Sequence, residues 1–213
     1  MITLYYSPQS RSTSVLSLLR LMGKETEAKI ETVHIQRQSG AGKIDPRNPH
    51  PDGKVPVLEV DGQVIRERAA IMLWLTDHFD SDLGRGISSP GRGAYLSWLF
   101  YYGNVMEPLL YLGFLEMADN PLVKSWCRDS ATMYSTIEAA LARHDFLIDD
   151  QFSAADLLMV SPFSWLPDAI PDSKPIRDWI ARCEAAQDMA FIAETENAAM
   201  KELGLPTGDE PAT

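Results

Sequence analysis

The sequence predicts a mixed α/β domain over residues 1–80, a linker at 81–90 and an all-α helical domain over 91–213. Three observations carry this reading. Up to Asp80, short β-rich runs alternate with helical patterns; after it, nearly every periodic segment is helical. Between the two lies SDLGRGISSPGRG, rich in Gly, Ser and Pro. Charge also splits at this point: 10 Lys/Arg balance 10 Asp/Glu up to Asp80, whereas 9 face 20 afterwards, which accounts for the whole net charge of −11.

Ile2–Tyr6 (ITLYY) reads as a first strand that ends at the Ser7-Pro8 turn. Val15, Leu16, Leu18, Leu19 and Met22 recur at helical spacing and stop at Gly23, a natural C-cap. Ile30–Ile35 alternates as a second strand, and Gln36–Asp52 reads as irregular. Val55–Val60 and Val64-Ile65 form a hairpin across Asp61-Gly62, followed by a helix over Ala69–Phe79. The order is therefore βαβ-ββα. Beyond the linker, Ser89 is expected to cap a helix with Pro90 in its first turn. Helices are expected over Ala94–Phe114 with a kink at Pro108 after Asn104, Pro121–Phe146, Ala154 to about Leu166, and Pro175–Leu203. In FSAADLLM, Ser153 and Asp156 have the spacing of a capping box, with Phe152 and Leu157 as a hydrophobic staple. That motif carries folding information, not catalysis. PTGDEPAT reads as a frayed tail.

The balance of charge argues against nucleic acid and anionic membranes, because phosphate binding needs a basic face. No apolar run approaches the roughly 20 residues of a spanning helix. Cys127 and Cys183 alone form neither a disulfide framework nor a metal site, and the N-terminus carries no secretory pattern. The expectation is a cytoplasmic protein without a metal. HExxH, GxSxG, the P-loop and GxGxxG are all missing from the sequence.

The ordered pieces resemble the cytosolic glutathione transferases along nearly the whole chain. YYSPQSRS, NPHPDGKVPVL and FSAADLLMVSPFSW are similar to segments of bacterial members and occur in the expected order. The resemblance implies a thioredoxin-like first domain in which Pro56 is cis, turning the Val55 backbone toward glutathione as a short added strand; a trans proline that opens an edge strand is the alternative. It implies that Glu67 and the residue after it hold the γ-glutamyl end at a helix N-terminus. Family members usually carry a serine in that second place, where this chain has Arg68. Arg68 either replaces the lost hydroxyl with a charge-assisted contact or points to solvent.

Thiol activation is the chemistry implied. A thiol with pKa near 8.5 must be lowered by about two units, roughly 2.7 kcal/mol, to react readily at neutral pH. A hydroxyl donor at the first helix supplies much of this. Ser10 aligns with the catalytic serine of serine-type classes, Ser12 is the rival donor, and Arg11 is an electrostatic helper in either case. The cysteine of the bacterial cysteine-type class would fall on Arg11, which argues against that chemistry, and Tyr5 or Tyr6 would serve a tyrosine-type mechanism. The serines here also suit simple capping of the helix. Lys54 is placed to reach the glycine carboxylate of glutathione, and His50 lies in the adjoining loop. The co-substrate expected is glutathione, the second substrate a small apolar electrophile taken between the domains, and the assembly a homodimer. The rivals are a non-catalytic binding or assembly module and a glutathione-dependent isomerase or peroxidase. Tyr95, Trp98, Phe100, Tyr101, Tyr102, Met106 and Tyr111 on the first helix of the second domain either face the electrophile or fill the core.

Overall fold

The computed structural model describes residues 1–37 and 42–206. Two compact units result: Met1–Met72 with the chain from Gln187 onward, and Leu73–Ala186. The expected tail lies, after Pro206, outside the described residues.

The first unit is built on a four-stranded mixed sheet in the order β2-β1-β3-β4. Its strands are β1 (Ile2–Tyr6), β2 (Ala28–Thr32), β3 (Val57–Val60) and β4 (Gln63–Ile65). β1 pairs with β2 in parallel, and with β3 antiparallel. Leu4 and Tyr6 on β1, Val57 and Leu58 on β3, and Leu16 and Leu19 from α1 (Thr13–Leu21) form its fully buried interior. Gly23 ends α1 with φ +65; its N–H reaches Arg20 O and that of Lys24 reaches Leu19 O. This is a Schellman closure, which needs the left-handed residue that glycine supplies at no steric penalty. Asp61 and Gly62 both take positive φ, 49° and 82°, as a two-residue hairpin turn of type I′ requires.

β2 and β3 are shorter than their sequence patterns. β2 starts at Ala28 and stops at Thr32 because its partner β1 spans only Ile2–Tyr6. β3 starts at Val57, opposite Tyr5, so Val55 and Pro56 lie ahead of the ladder. The Val55–Pro56 peptide is cis.

A buried carboxylate organises the segment between β2 and β3. Asp45 accepts from the Arg47 side chain, from Arg47 N at 3.0 Å and from His34 N at 3.2 Å. The Arg47 guanidinium, aided by those N–H groups, holds its carboxyl far below the usual carboxylate range. A depressed pKa contributes stability above the unfolded value of about 4, and that stability is lost as pH falls through the folded value. Denaturant midpoints measured from pH 6 down to pH 2 should therefore fall less steeply in Asp45→Asn than in the native protein. Parallel curves would show that this carboxylate does not drive acid unfolding.

The sequence placed the whole C-terminal stretch in the second domain, but the chain from Gln187 packs into the first unit. The start of α9 (Met189–Glu202) is fastened to α1: Ser17 Oγ donates to Gln187 Oε1 at 3.0 Å and Arg20 Nε to Asp188 Oδ2 at 3.0 Å. Conversely, the end of α2 (Arg68–His78) groups with the second unit. There Thr76 Oγ1 meets Tyr95 OH at 3.0 Å, and Arg92 Nη1 meets Asp77 Oδ1 at 2.6 Å.

The second unit departs from the expected helices wherever a polar residue restarts the chain. α3 (Arg92–Tyr101) is followed by a π-helical turn, Tyr102–Met106, and then α4 (Glu107–Phe114). The expected kink at Pro108 is thus absorbed by a π turn just upstream, which relieves the clash of a mid-helix proline ring. The capping site at Ser89 shifts: Gly91 occupies the N-cap of α3, and Ser89 Oγ instead accepts from Gly91 N at 3.3 Å. Residues 81–90 do more than link, since buried Arg85 donates twice to the Asp149 carboxylate, at 3.0 and 2.6 Å.

The single helix expected over Pro121–Phe146 is two, α5 (Pro121–Cys127) and α6 (Ser130–Leu141). Arg128 takes φ 65° between them and Asp129 caps the second through Thr132 N at 2.7 Å. The last expected helix likewise divides into α8 (Lys174–Ala185) and α9, where Asp188 caps through Phe191 N at 3.1 Å. α7 (Ala154–Val160) has both arms of the Ser153/Asp156 capping box. Phe152, expected to staple onto Leu157, lies edge-on to Phe146 with ring centres 5.6 Å apart. Among the described residues no helix is long and apolar enough to cross a membrane.

Candidate functional site

The sheet register brings three interruptions of the chain to one end of the first unit. Tyr5 pairs with Val57, so the turn after Tyr6 and the Val55-Pro56 segment lie beyond the same edge. Leu58 pairs with Ile65, so Arg66, Glu67 and Arg68 leave β4 toward that end too. Ser10, Ser12, Val55, Pro56, Glu67 and Arg68, scattered over some sixty positions, are gathered there by topology.

The turn into α1 is held by its own hydroxyls. Ser12 is 0% exposed; its Oγ accepts from Ser7 N at 3.1 Å and donates to Ser7 O at 3.0 Å. Ser10 is only half-buried; its Oγ is 2.7 Å from Ser7 O and 2.6 Å from Ser12 Oγ, and it accepts from Ser12 N at 3.2 Å. Ser12 occupies the N-cap position of α1, yet its side chain makes no cap bond. The serines therefore shape the turn and do not cap the helix. Each hydroxyl has one proton. Ser12 can keep its proton on Ser7 O while Ser10 redirects its own to an incoming acceptor. Arg11, half-buried, stands between them.

The tyrosines are differently placed. Tyr6 is 0% exposed with its OH 3.4 Å from Glu196, and burial, then the Glu196 charge, pushes its phenol well up. Tyr5 OH donates to Glu59 Oε2 at 2.8 Å, and burial with that carboxylate raises it as well. Both cysteines sit in the second unit, buried, with their thiols pushed up by that burial.

On the far side of the same end, Glu67 takes φ 68°, a left-handed conformation that a glutamate adopts only under local constraint. Its side chain is exposed, and its carbonyl accepts from Ile71 N at 2.9 Å, opening α2. Of the two positions open to Arg68, the structure selects the interior, with 7% of the residue exposed at the first turn of α2. The backbone N–H groups of that turn add partial positive charge.

The loop ahead of Val55 has an organiser that the sequence reading passed over. Buried Asn48 donates through Nδ2 to Lys54 O at 3.0 Å and accepts from His50 N at 3.0 Å. Its signal was local: Asn before Pro in a turn-rich segment is suited to such side-chain turns. His50 accepts from Asp52 N through Nδ1 at 3.0 Å, and burial pushes its pKa down, so its ring is neutral at physiological pH. Gly53 has φ +62, and a Cβ there would meet Ile44 Cγ2 at 2.8 Å, so glycine is required beside this loop. Lys54 is exposed, Val55 half-buried and Pro56 buried.

Of the aromatic series, Tyr95, Tyr102 and Met106 belong to the core of the second unit. Trp98, Tyr101 and Tyr111 are half-buried, and Phe100 is 52% exposed. Among the described residues, no three His, Cys, Asp or Glu side chains gather as a metal site.

A sheet of this topology, with hydroxyls at the first helix and a helix N-terminus at the same end, followed by helices, defines a glutathione transferase-type architecture. Residues 105–186 match the family model for the glutathione S-transferase C-terminal domain. The fold matches a glutathione transferase of Methylococcus capsulatus (Bath) with a TM-score of 0.67 and 25% identity, over 96% of this chain and 99% of that one. It also matches a Phanerochaete chrysosporium glutathione transferase solved with oxidized glutathione, with a TM-score of 0.69 and 17% identity, over 93% and 97% of the two chains. A Dictyostelium discoideum protein named maleylacetoacetate isomerase is 25% identical over 166 residues, 74% of this chain and 76% of that protein. In sequence over residues 105–186, and in fold along nearly the whole chain, the protein is thus similar to the glutathione transferases.

Proposed function

We propose that this protein is a glutathione-dependent enzyme that activates the glutathione thiol for attack on a small apolar electrophile. One observation carries the reading: half-buried Ser10 and the strained Glu67 at the start of α2 lie at one end of the sheet. Ser10 donates to the sulfur and stabilises the thiolate, with Arg11 adding positive charge. Ser12 keeps the turn in shape. Val55 pairs through its backbone with the cysteinyl unit, Pro56 terminates that pairing, and Lys54 attracts the glycine carboxylate. Glu67 takes the amino group of the γ-glutamyl end. Buried Arg68 and the first turn of α2 take its carboxylate. His50, neutral, lines the loop beside Lys54. The half-buried and exposed rings of α3 and α4 favour an apolar second substrate. The protein works in the cytoplasm as a homodimer.

A second reading is supported by the similarity to the Dictyostelium isomerase: the same thiol adds to an unsaturated substrate and leaves again after isomerisation. Product analysis separates the two, since conjugation consumes glutathione and isomerisation returns it.

Calorimetric titration of glutathione into native protein and Arg68→Ser tests the site. The native protein should bind in the micromolar to low millimolar range. The variant should bind about 5- to 20-fold more weakly, the loss of one charge-assisted hydrogen bond only partly replaced by a hydroxyl. No binding by the native protein, with binding in the variant, would favour a non-catalytic module in which Arg68 blocks the γ-glutamyl position.

A further inference from the structure

The residue immediately before Ser10 is held in an unusual way. Gln9 has φ 51°, a left-handed conformation that side-chain sterics disfavour in a non-glycine residue. Both poles of its backbone are met by charge. Its N–H donates to Glu196 Oε1 at 3.0 Å, and its carbonyl accepts from Arg37 Nη1 at 3.0 Å. Each charged group also grips a neighbour. Glu196 Oε1 accepts from Thr13 Oγ1 at 2.6 Å, at the first residue of α1, and Arg37 Nη2 is 3.5 Å from Ser7 Oγ. The carboxylate thus spans the turn from Gln9 to Thr13, with Ser10 inside the span. Hydrogen bonds to charged partners are roughly twice as strong as neutral ones, enough to hold a conformation that the backbone alone disfavours.

Glu196 belongs to α9, the helix that packs with α1 in the first unit. That helix is already registered on α1 by the Arg20–Asp188 and Ser17–Gln187 bonds, so the Glu196 carboxylate reaches the turn from a braced support. The bonds of the Ser10 hydroxyl, to Ser7 O, Ser12 Oγ and Ser12 N, lie within the same turn and move with it.

We propose that Glu196 and Arg37 are positioning residues that clamp the Gln9 peptide and so fix where Ser10 presents its hydroxyl. The proposal rests on the thiol-activating role given to Ser10 above. Without the carboxylate, Gln9 relaxes to negative φ, its peptide rotates, and the Ser10 hydroxyl leaves its place beside the sulfur. Charge and geometry predict opposite signs, which makes the role testable. A negative charge near a thiolate disfavours it, so a purely electrostatic Glu196 would lower the thiol pKa when removed by either Gln or Ala. A clamp predicts that Glu196→Gln, which keeps an oxygen acceptor, leaves the thiol no less acidic. Glu196→Ala should raise its pKa by about one unit, a roughly tenfold loss of thiolate at neutral pH.

The experiment pairs thiolate absorbance of bound glutathione against pH with amide hydrogen exchange, on native protein, Glu196→Gln and Glu196→Ala. Amides from Gln9 to Val15 should exchange at least about tenfold faster in the alanine variant only, while those of β3 stay as in the native protein. Unchanged exchange at Gln9–Val15 overturns the clamp. Faster exchange with an unmoved thiol pKa leaves Glu196 structural and also overturns the proposal. A native protein that binds no glutathione sinks the proposed function instead, and the exchange measurement alone then decides whether the clamp exists.

Discussion

Ser10→Ala should raise the thiol pKa of bound glutathione by about two units and lower kcat/KM for an aromatic electrophile about 30- to 100-fold at pH 6.5, with glutathione affinity nearly unchanged. The size follows from the task. Bringing a thiol from about 8.5 to about 6.5 takes some 2.7 kcal/mol of preferential thiolate stabilisation, and a hydroxyl donor aimed at the sulfur supplies most of it. Ser10 is half-buried, whereas Ser12 is fully buried with both its donor and acceptor roles engaged by Ser7. Ser12→Ala should therefore act differently, loosening the turn and lowering stability by about 1–2 kcal/mol through the lost Ser7 bonds. A pH–rate profile separates them. The Ser10 defect should shrink above pH 9, where glutathione ionises unaided, and a defect that persists there would remove Ser10 from thiol activation.

Asp156→Ala should lower stability by about 3–4 kcal/mol and the melting temperature by about 8–14 °C. The Asp156 carboxylate is 0% exposed and serves four donors. Ser153 N and Ser153 Oγ reach Oδ2 at 3.1 and 2.6 Å, and Leu147 N and Trp179 Nε1 reach Oδ1 at 2.9 and 3.0 Å. Burial pushes this carboxyl up, and the four donors offset only part of that rise. Alanine removes every acceptor at once and strands buried N–H groups on three segments: the α7 cap, the loop at Leu147, and α8 through Trp179. The alternative partners for those groups in the unfolded chain are water, so each orphaned donor loses its full desolvation compensation. Asp156→Asn keeps one oxygen for Leu147 and Trp179 and should be about half as damaging. Urea titrations of both variants decide the matter. A loss under about 1 kcal/mol for alanine would mean that water enters and replaces the carboxylate.

Asp156 also marks the boundary of what the chain's pattern reveals. Its pairing with Ser153 was legible because a capping box is local, set by a spacing of three residues. The bonds to Leu147 and Trp179 join segments that no local spacing connects. The same division recurs across the fold. The Asp61-Gly62 hairpin, the Gly23 helix stop and the βαβ-ββα order of the first six elements depend on backbone preferences within a few residues, and they agree with the sequence pattern. Helix ends were misjudged where a single polar residue outweighed apolar periodicity, as at Asp129 and Asp188, because one N-cap bond is sufficient to restart a helix.

By itself, the sequence determined the fold class, the βαβ-ββα order and the local motifs at Gly23, Asp61-Gly62 and Ser153/Asp156. Tertiary structure decided that Ser12 is buried while Ser10 is only half-buried, that Arg68 lies inside, and that α9 joins the first unit. It also brought Glu196 to the Gln9 peptide. The physical reason is one of range. Propensities, caps and turns act over a few residues and leave a pattern in the chain. Burial and charge pairing between distant segments depend on how the elements pack, and packing is encoded by no single stretch of sequence.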